Sequence, residues 1–169
     1  MGKHKEVSEE IILKAISGNN DAFTEIYKVY YKKVYFMGIQ YFKNEETAKD
    51  IVQEVFIKVH KQIKNLKSTK AFSSWLYMIT YRECISHNRR KLKVLDLPED
   101  MQIEYFEDTA NVGVMKLIEN EEIKEIIIDS LDNMSVPLRT VGTLRFLEEL
   151  KLEEIAKILN VPKSTVGTR

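Results

Sequence analysis

Residues 45–63 read EETAKDIVQEVFIKVHKQI, and the spacing of their apolar side chains decides the fold class. Ala48, Ile51, Val52, Val55, Val59 and Ile63 recur at i, i+3, i+4 intervals. That places them on one face of a helix and is incompatible with the two-residue alternation of a half-buried strand. Asn44 stands just before the run, where its side chain can cap the first turn. A second face carries Asp50, Gln53, Glu54 and Ile57 at the same spacing. Asp50 and Glu54 are like charges at i,i+4, which costs a helix roughly a few tenths of a kcal/mol. Such a strip is either a plain solvated face or a docking face aimed at a basic or polar helix.

Outward from this stretch the helical period continues in both directions. Helices are predicted over 8–17, 21–42, 45–63, 70–91, 114–133, 136–148, 152–159 and from 163 onward, with Gly18 as a stop after the first and Asn20 as the cap of the second. Strand alternation is nearly absent, so the expected fold is all-α. The pattern fails between Lys93 and Gly113, where Pro98 and six acidic residues interrupt any apolar stripe. This divides the chain into an N-terminal helical domain (1–92), a linker (93–113) and a C-terminal helical domain (114–169). Leu95, Leu97, Ile103, Tyr105 and Phe106 are unusual in a solvated tether and suggest that the linker docks on something.

The net charge of zero hides a division. Residues 1–91 carry +7 and residues 92–169 carry −7, which points to two modules with different partners, or to one that can shield the other. No run of 18 apolar residues and no signal-type N-terminus occur, so a cytoplasmic location is expected. Cys84, the one cysteine, reads as a buried small hydrophobe, and the scattered His4, His60 and His87 give no ligand spacing. Neither a metal nor another cofactor is expected. No nucleophile, base and phosphate-binding loop occur at a motif spacing, so an enzyme is not expected either.

Residues 61–93 place Lys61, Lys64, Lys67 and Lys70 before a helix that ends in Arg89, Arg90, Lys91 and Lys93, with Phe72, Trp75, Tyr77 and Tyr81 between. Cations that follow a phosphate backbone, beside aromatic faces on which bases stack, suit single-stranded DNA. Phe72, Trp75, Leu76 and Ile79 also make an ordinary core stripe, so Trp75 is assigned to the core. Tyr27, Tyr30, Tyr31, Tyr35 and Tyr41 are spread around their helix and are read as packing.

The chain ends in EEIAKILNVPKSTVGTR (153–169), which has helix-turn-helix spacing. Leu152, Ile155, Ala156 and Leu159 share a face, Asn160 tolerates positive φ, Pro162 stands where a helix can begin, and Val166 points back into the pair. Lys163, Ser164, Thr165, Thr168 and Arg169 face mostly outward and are of the types that contact phosphates and base edges. The competing reading is an ordinary αα-corner.

Together, DAFTEIYKVYYKKVY, AKDIVQEVFIKVHK, FSSWLYMITYRECISHNRRK and LKLEEIAKILNVPKSTVGTR resemble, in order and spacing, the extracytoplasmic-function (ECF) group of bacterial sigma factors. The resemblance runs from about residue 20 to the end, and its most specific part is the D-x-x-Q-E-x-F run from Asp50 to Phe56. It implies a region 2 bundle and a region 4 helix-turn-helix. It further implies that Asp50, Gln53, Glu54 and Ile57 bind the clamp helices of core RNA polymerase. Lys64, Asn65, Lys67, Lys70, Tyr77, Tyr81, Arg82, Arg89 and Arg90 are implied to recognise and open the −10 element, and Lys163, Ser164, Thr165, Thr168 and Arg169 to read the −35 element. A monomer when free of partners is expected, restrained by an anti-sigma factor that is commonly membrane-associated, in a stress response. Two departures stand out: Arg82 and Ser86 occupy positions where the family often has Asn and Asp, and Gly167 stands where many members have Lys. Members also continue past Arg169 with a basic stretch, so this sequence reads as truncated at the C-terminus and is expected to bind a −35 duplex weakly. The main rival, a stand-alone helix-turn-helix regulator, leaves the Asp50 face without a role. A scaffold or anti-sigma protein would show no promoter dependence.

Overall fold

The structure, a computed structural model, describes residues 6–94 and 122–168. In chain order these form α1 (Glu9–Ile16), α2 (Asn20–Phe42), α3 (Glu45–Gln62), α4 (Phe72–Val94), α5 (Glu122–Asp132), α6 (Val136–Gly142), α7 (Leu152–Leu159) and α8 (Lys163–Thr168). Short 3-10 turns at Ile63–Asn65 and Thr69–Ala71 join α3 to α4, and a π turn at Thr143–Leu147 extends α6. No strand occurs among the described residues, in keeping with the all-α reading.

Several boundaries follow from the local signals. Asn44 Oδ1 accepts the Thr47 N–H at 2.8 Å and starts α3, Gly18 takes φ +91° after α1, and Asn160 takes φ 54° after α7. The cap of α2 is a correction: Asn19, not Asn20, accepts the Ala22 N–H at 2.9 Å, and Asn20 is the first helical residue. Two adjacent asparagines offer the same chemistry, and the one three residues before a free N–H performs the capping.

The single helix predicted over 136–148 is also corrected. At its end the Glu148 N–H reaches back five residues to the Thr143 carbonyl at 3.2 Å, so the last turn is widened. Helix α4 starts two residues later than predicted and runs to Val94, into the stretch read as linker. The rest of the linker with its five apolar residues, and the helical start predicted at 114–121, lie outside the described residues.

The six apolar residues that defined the α3 stripe are all buried. Gly38 of α2 faces Ala48 so closely that a Cβ on it would stand 3.1 Å from the Ala48 Cα and Cβ; α2 and α3 cross almost backbone to backbone. One core gathers α1 to α4 and takes in Ile128, Leu131 and Leu147 from the C-terminal half. A second gathers Val141, Leu144, Leu150, Ile155, Ile158, Leu159 and Val166, and takes in Met37 and Tyr77 from the N-terminal half. The two halves are therefore packed against one another.

The Arg139 guanidinium reinforces this contact. Nearly buried, it donates to the carbonyls of Leu131 (3.1 Å) and Met134 (2.9 Å) at the end of α5, and to Gln40 O (2.8 Å) in the last turn of α2. One cation thus satisfies carbonyls that two helix C-termini leave without intrahelical donors.

Candidate nucleic-acid and protein interfaces

With one side of α3 buried, helical geometry turns the other outward. Asp50 and Gln53 are exposed, and Ile57 is 47% exposed despite being a large hydrophobe. Glu54 is half-buried and accepts a hydrogen bond from Arg90 Nη2 at 2.7 Å. Arg90 also lies 3.4 Å from Glu83, which is 1% exposed and forms a second ion pair with Lys58. Burial pushes the Glu83 carboxyl up. Hydrogen bonds with Lys58 and Glu54, together with the Lys58 and Arg90 charges, outweigh it and hold the group below its ordinary range. Two residues assigned from the sequence to different partners, Glu54 and Arg90, are thus brought together.

Beside this face lies an open groove of about 620 Å³. Phe23, Tyr27, Tyr31 and Phe56 form its apolar walls, while Gln53 and Ile57 belong to both the groove and the outward face. The rings make a continuous edge-on cluster, Tyr27 to Phe56 at 4.7 Å and Phe23 to Phe56 at 6.5 Å between centroids. Tyr27, expected from the sequence to be packing, is exposed, and Tyr31 is half-buried. The signal that could have found them is the spacing Phe23, Tyr27, Tyr31, an aromatic line at four-residue intervals that points the same way along α2.

The proposed −10 residues divide into two sets. Lys64, Asn65, Lys67 and Lys70 are exposed on the turns before α4, and Arg82, Arg89 and Arg90 are exposed along it. Tyr77 is only 1% exposed: its hydroxyl donates to Glu148 Oε2 at 2.5 Å and accepts from Lys33 Nζ at 3.3 Å. Burial, and then the Glu148 carboxylate, push this phenol far above its ordinary pKa. Tyr81 is half-buried and meets Tyr41 edge to face at 6.3 Å. Both tyrosines pack with the second core, under the C-terminal half. Cys84 is fully buried, and burial raises its thiol well above the reactive range.

The helix-turn-helix forms as its spacing predicts. Val166 is buried with Ile155, Ile158 and Leu159, and the Pro162 carbonyl accepts from Val166 N–H at 3.3 Å to start α8. Lys163, Ser164 and Thr168 are exposed, with Lys163 ion-paired to Glu153; Thr165 is half-buried, and Arg169 lies outside the described residues.

Comparison with known proteins bears on this arrangement. Residues 26–93 match the family model for sigma-70 region 2, and residues 124–169 that for sigma-70 region 4. Over 90% of its length the chain is 30% identical to the ECF RNA polymerase sigma factor SigW of Bacillus subtilis (strain 168), covering 84% of that protein. The chain belongs to the ECF RNA polymerase sigma factors. It is also 29% identical to the ECF sigma-E factor of Haemophilus influenzae, over 98% of this chain and 90% of that one. Among solved structures it shares its fold with CnrH, seen in complex with the cytosolic domain of CnrY. The TM-score is 0.61 at 15% identity, covering 95% of this chain and 87% of CnrH. Sigma factors are transcription-initiation factors and are not known as enzymes. No helix among the described residues of this sigma factor is long and apolar enough to cross a membrane.

Proposed function

We propose that this sigma factor docks on the clamp helices of core RNA polymerase through Asp50, Gln53, Glu54 and Ile57, with the Phe23–Tyr27–Tyr31 groove receiving apolar side chains of the same partner. The observation that carries this reading is the outward turn of Asp50, Gln53 and Ile57 beside an open aromatic groove, on the helix whose other side is entirely core. An exposed isoleucine near the exposed Tyr27 ring and the half-buried Phe23 and Tyr31 is the composition of a hot spot, and the acidic residues at its rim supply orientation. Lys64, Asn65, Lys67, Lys70, Tyr77, Tyr81, Arg82, Arg89 and Arg90 then serve the −10 element. Lys163, Ser164, Thr165, Thr168 and Arg169 serve the −35 element, the division being 1–92 and 114–169 about a linker at 93–113.

A regulatory protein partner of the anti-sigma kind, a cytoplasmic location and a role in a stress response complete the proposal. The complex of CnrH with a cytosolic domain supports the first of these. The reading is tested by capture of core RNA polymerase with this chain and with an Asp50→Lys variant. Binding by the first and its loss in the second are expected. Equal binding by the two would remove the α3 face from the account.

A further inference from the structure

Of the four residues on the outward face of α3, Asp50, Gln53 and Ile57 are exposed, whereas Glu54 is tied to α4. Arg90 Nη2 sits between two carboxylates, donating to Glu54 Oε2 at 2.7 Å and to Glu83 Oε1 at 3.4 Å. Glu83 lies two turns before Arg90 on the same side of α4, its side chain is 1% exposed, and its other oxygen pairs with Lys58 of α3. Lys58 follows Glu54 by four residues, a spacing at which the two could pair directly along α3, yet it turns to Glu83 instead. The charges therefore run Glu54, Arg90, Glu83, Lys58, crossing from α3 to α4 and back.

We propose that Glu83 is a positioning residue for the polymerase-docking face: acting through Arg90, it presents Glu54 in one orientation. This rests on the reading of α3 as that face. The Arg90 and Glu54 side chains are 55% and 37% exposed, and an ion pair in such a setting is worth little and fixes no geometry by itself. A buried acceptor changes this. Glu83 is enclosed by its neighbours and neutralised by Lys58, so it gives the guanidinium a second, immobile anchor. Desolvation makes such a carboxylate costly, and what it supplies in return is one specified arrangement rather than net stability. Arg90 takes Oε2 of Glu54, and a carboxylate carries lone pairs on both oxygens, so Glu54 can accept a partner's donor while keeping Arg90. A side chain ordered beforehand spares the entropy of ordering it on binding, a factor of about five in affinity for one long side chain.

The test measures the affinity of the full chain for core RNA polymerase in Glu83→Gln, Glu54→Gln and the double variant, with Asp50→Lys alongside and helicity checked in each. Glu83→Gln is expected to weaken binding about fivefold when Glu54 is present and to add no further loss in the Glu54→Gln background. No loss, or the same loss in both backgrounds, overturns the positioning role, since a purely structural effect of Glu83 would not depend on Glu54. If Asp50→Lys also leaves binding unchanged, the docking reading itself fails and the positioning falls with it. If Asp50→Lys weakens binding and Glu83→Gln does not, only the positioning fails. A second measurement needs no polymerase: urea unfolding of Glu54→Gln, Arg90→Gln and their double variant gives the coupling between Glu54 and Arg90. That coupling is expected to be about threefold in the unfolding equilibrium constant and to vanish when Glu83→Gln is also present. Its persistence without the Glu83 carboxylate overturns the anchor.

Discussion

The outward face of α3 and the tyrosine face of α4 lie on neighbouring helices of the same half, and they have opposite fates. Asp50, Gln53 and Ile57 stand in solvent beside an open groove, whereas Tyr77 is sealed beneath Glu148 and Tyr81 is half-covered. Both faces were legible as candidate binding surfaces from side-chain spacing. They differ because α4 has a second neighbour, the C-terminal half, and α3's outward face has none among the described residues. The contrast bears on the proposed roles: Asp50, Gln53 and Ile57 are open to a partner as they stand, whereas Tyr77 and Tyr81 are covered by the C-terminal half.

The largest effect is expected on the open side. Asp50→Lys should lower affinity for core polymerase about 100-fold, the scale of a hot-spot residue, with unchanged helicity since the side chain is exposed. An anisotropy titration against labelled core reads it, and a change below about threefold would mean that α3 is only a solvated face. On the covered side, Lys67 and Lys70 stay exposed even when the halves are closed. Lys67→Ala/Lys70→Ala should lessen the slope of log affinity against log salt for single-stranded DNA by about 1.4. An unaltered slope would show that the strand takes another path.

The smallest effect concerns Glu83, whose network joins α3 to α4. Its carboxyl is depressed in the folded chain, so the stability it contributes is full above the unfolded carboxylate value of about 4.3 and is lost as pH falls through the lower folded value. Glu83→Gln should cost about 1 kcal/mol at neutral pH and progressively less in acid. Urea unfolding at pH 7 and pH 3 would show this, and an equal cost at both would mean that packing rather than charge sets its contribution.

What the sequence revealed follows from what is local. The α3 stripe, the Asn44 cap, the left-handed Asn160 and the burial of Val166 each depend on residues within a turn or two, and each formed as read. The choice between Asn19 and Asn20 turned on one residue of register, which composition cannot resolve. The π turn before Glu148 has no periodic signature distinct from α-helix. The contact between Lys33 and Glu148 was beyond reach for another reason: the two lie 115 residues apart, and nothing near either one marks it as the other's partner. Only the opposite charges of the halves hinted that they might meet. In the sequence Tyr77 stands as an aromatic among cations; in the structure its neighbour is a carboxylate contributed by the other half.

The most direct test is the distance between the two halves followed through assembly, with labels at positions 46 and 157. The account predicts a short distance in the free chain, where the two cores pack together, and a marked lengthening in the complex with core polymerase and promoter DNA. A free chain already as extended as the promoter-bound one would contradict it.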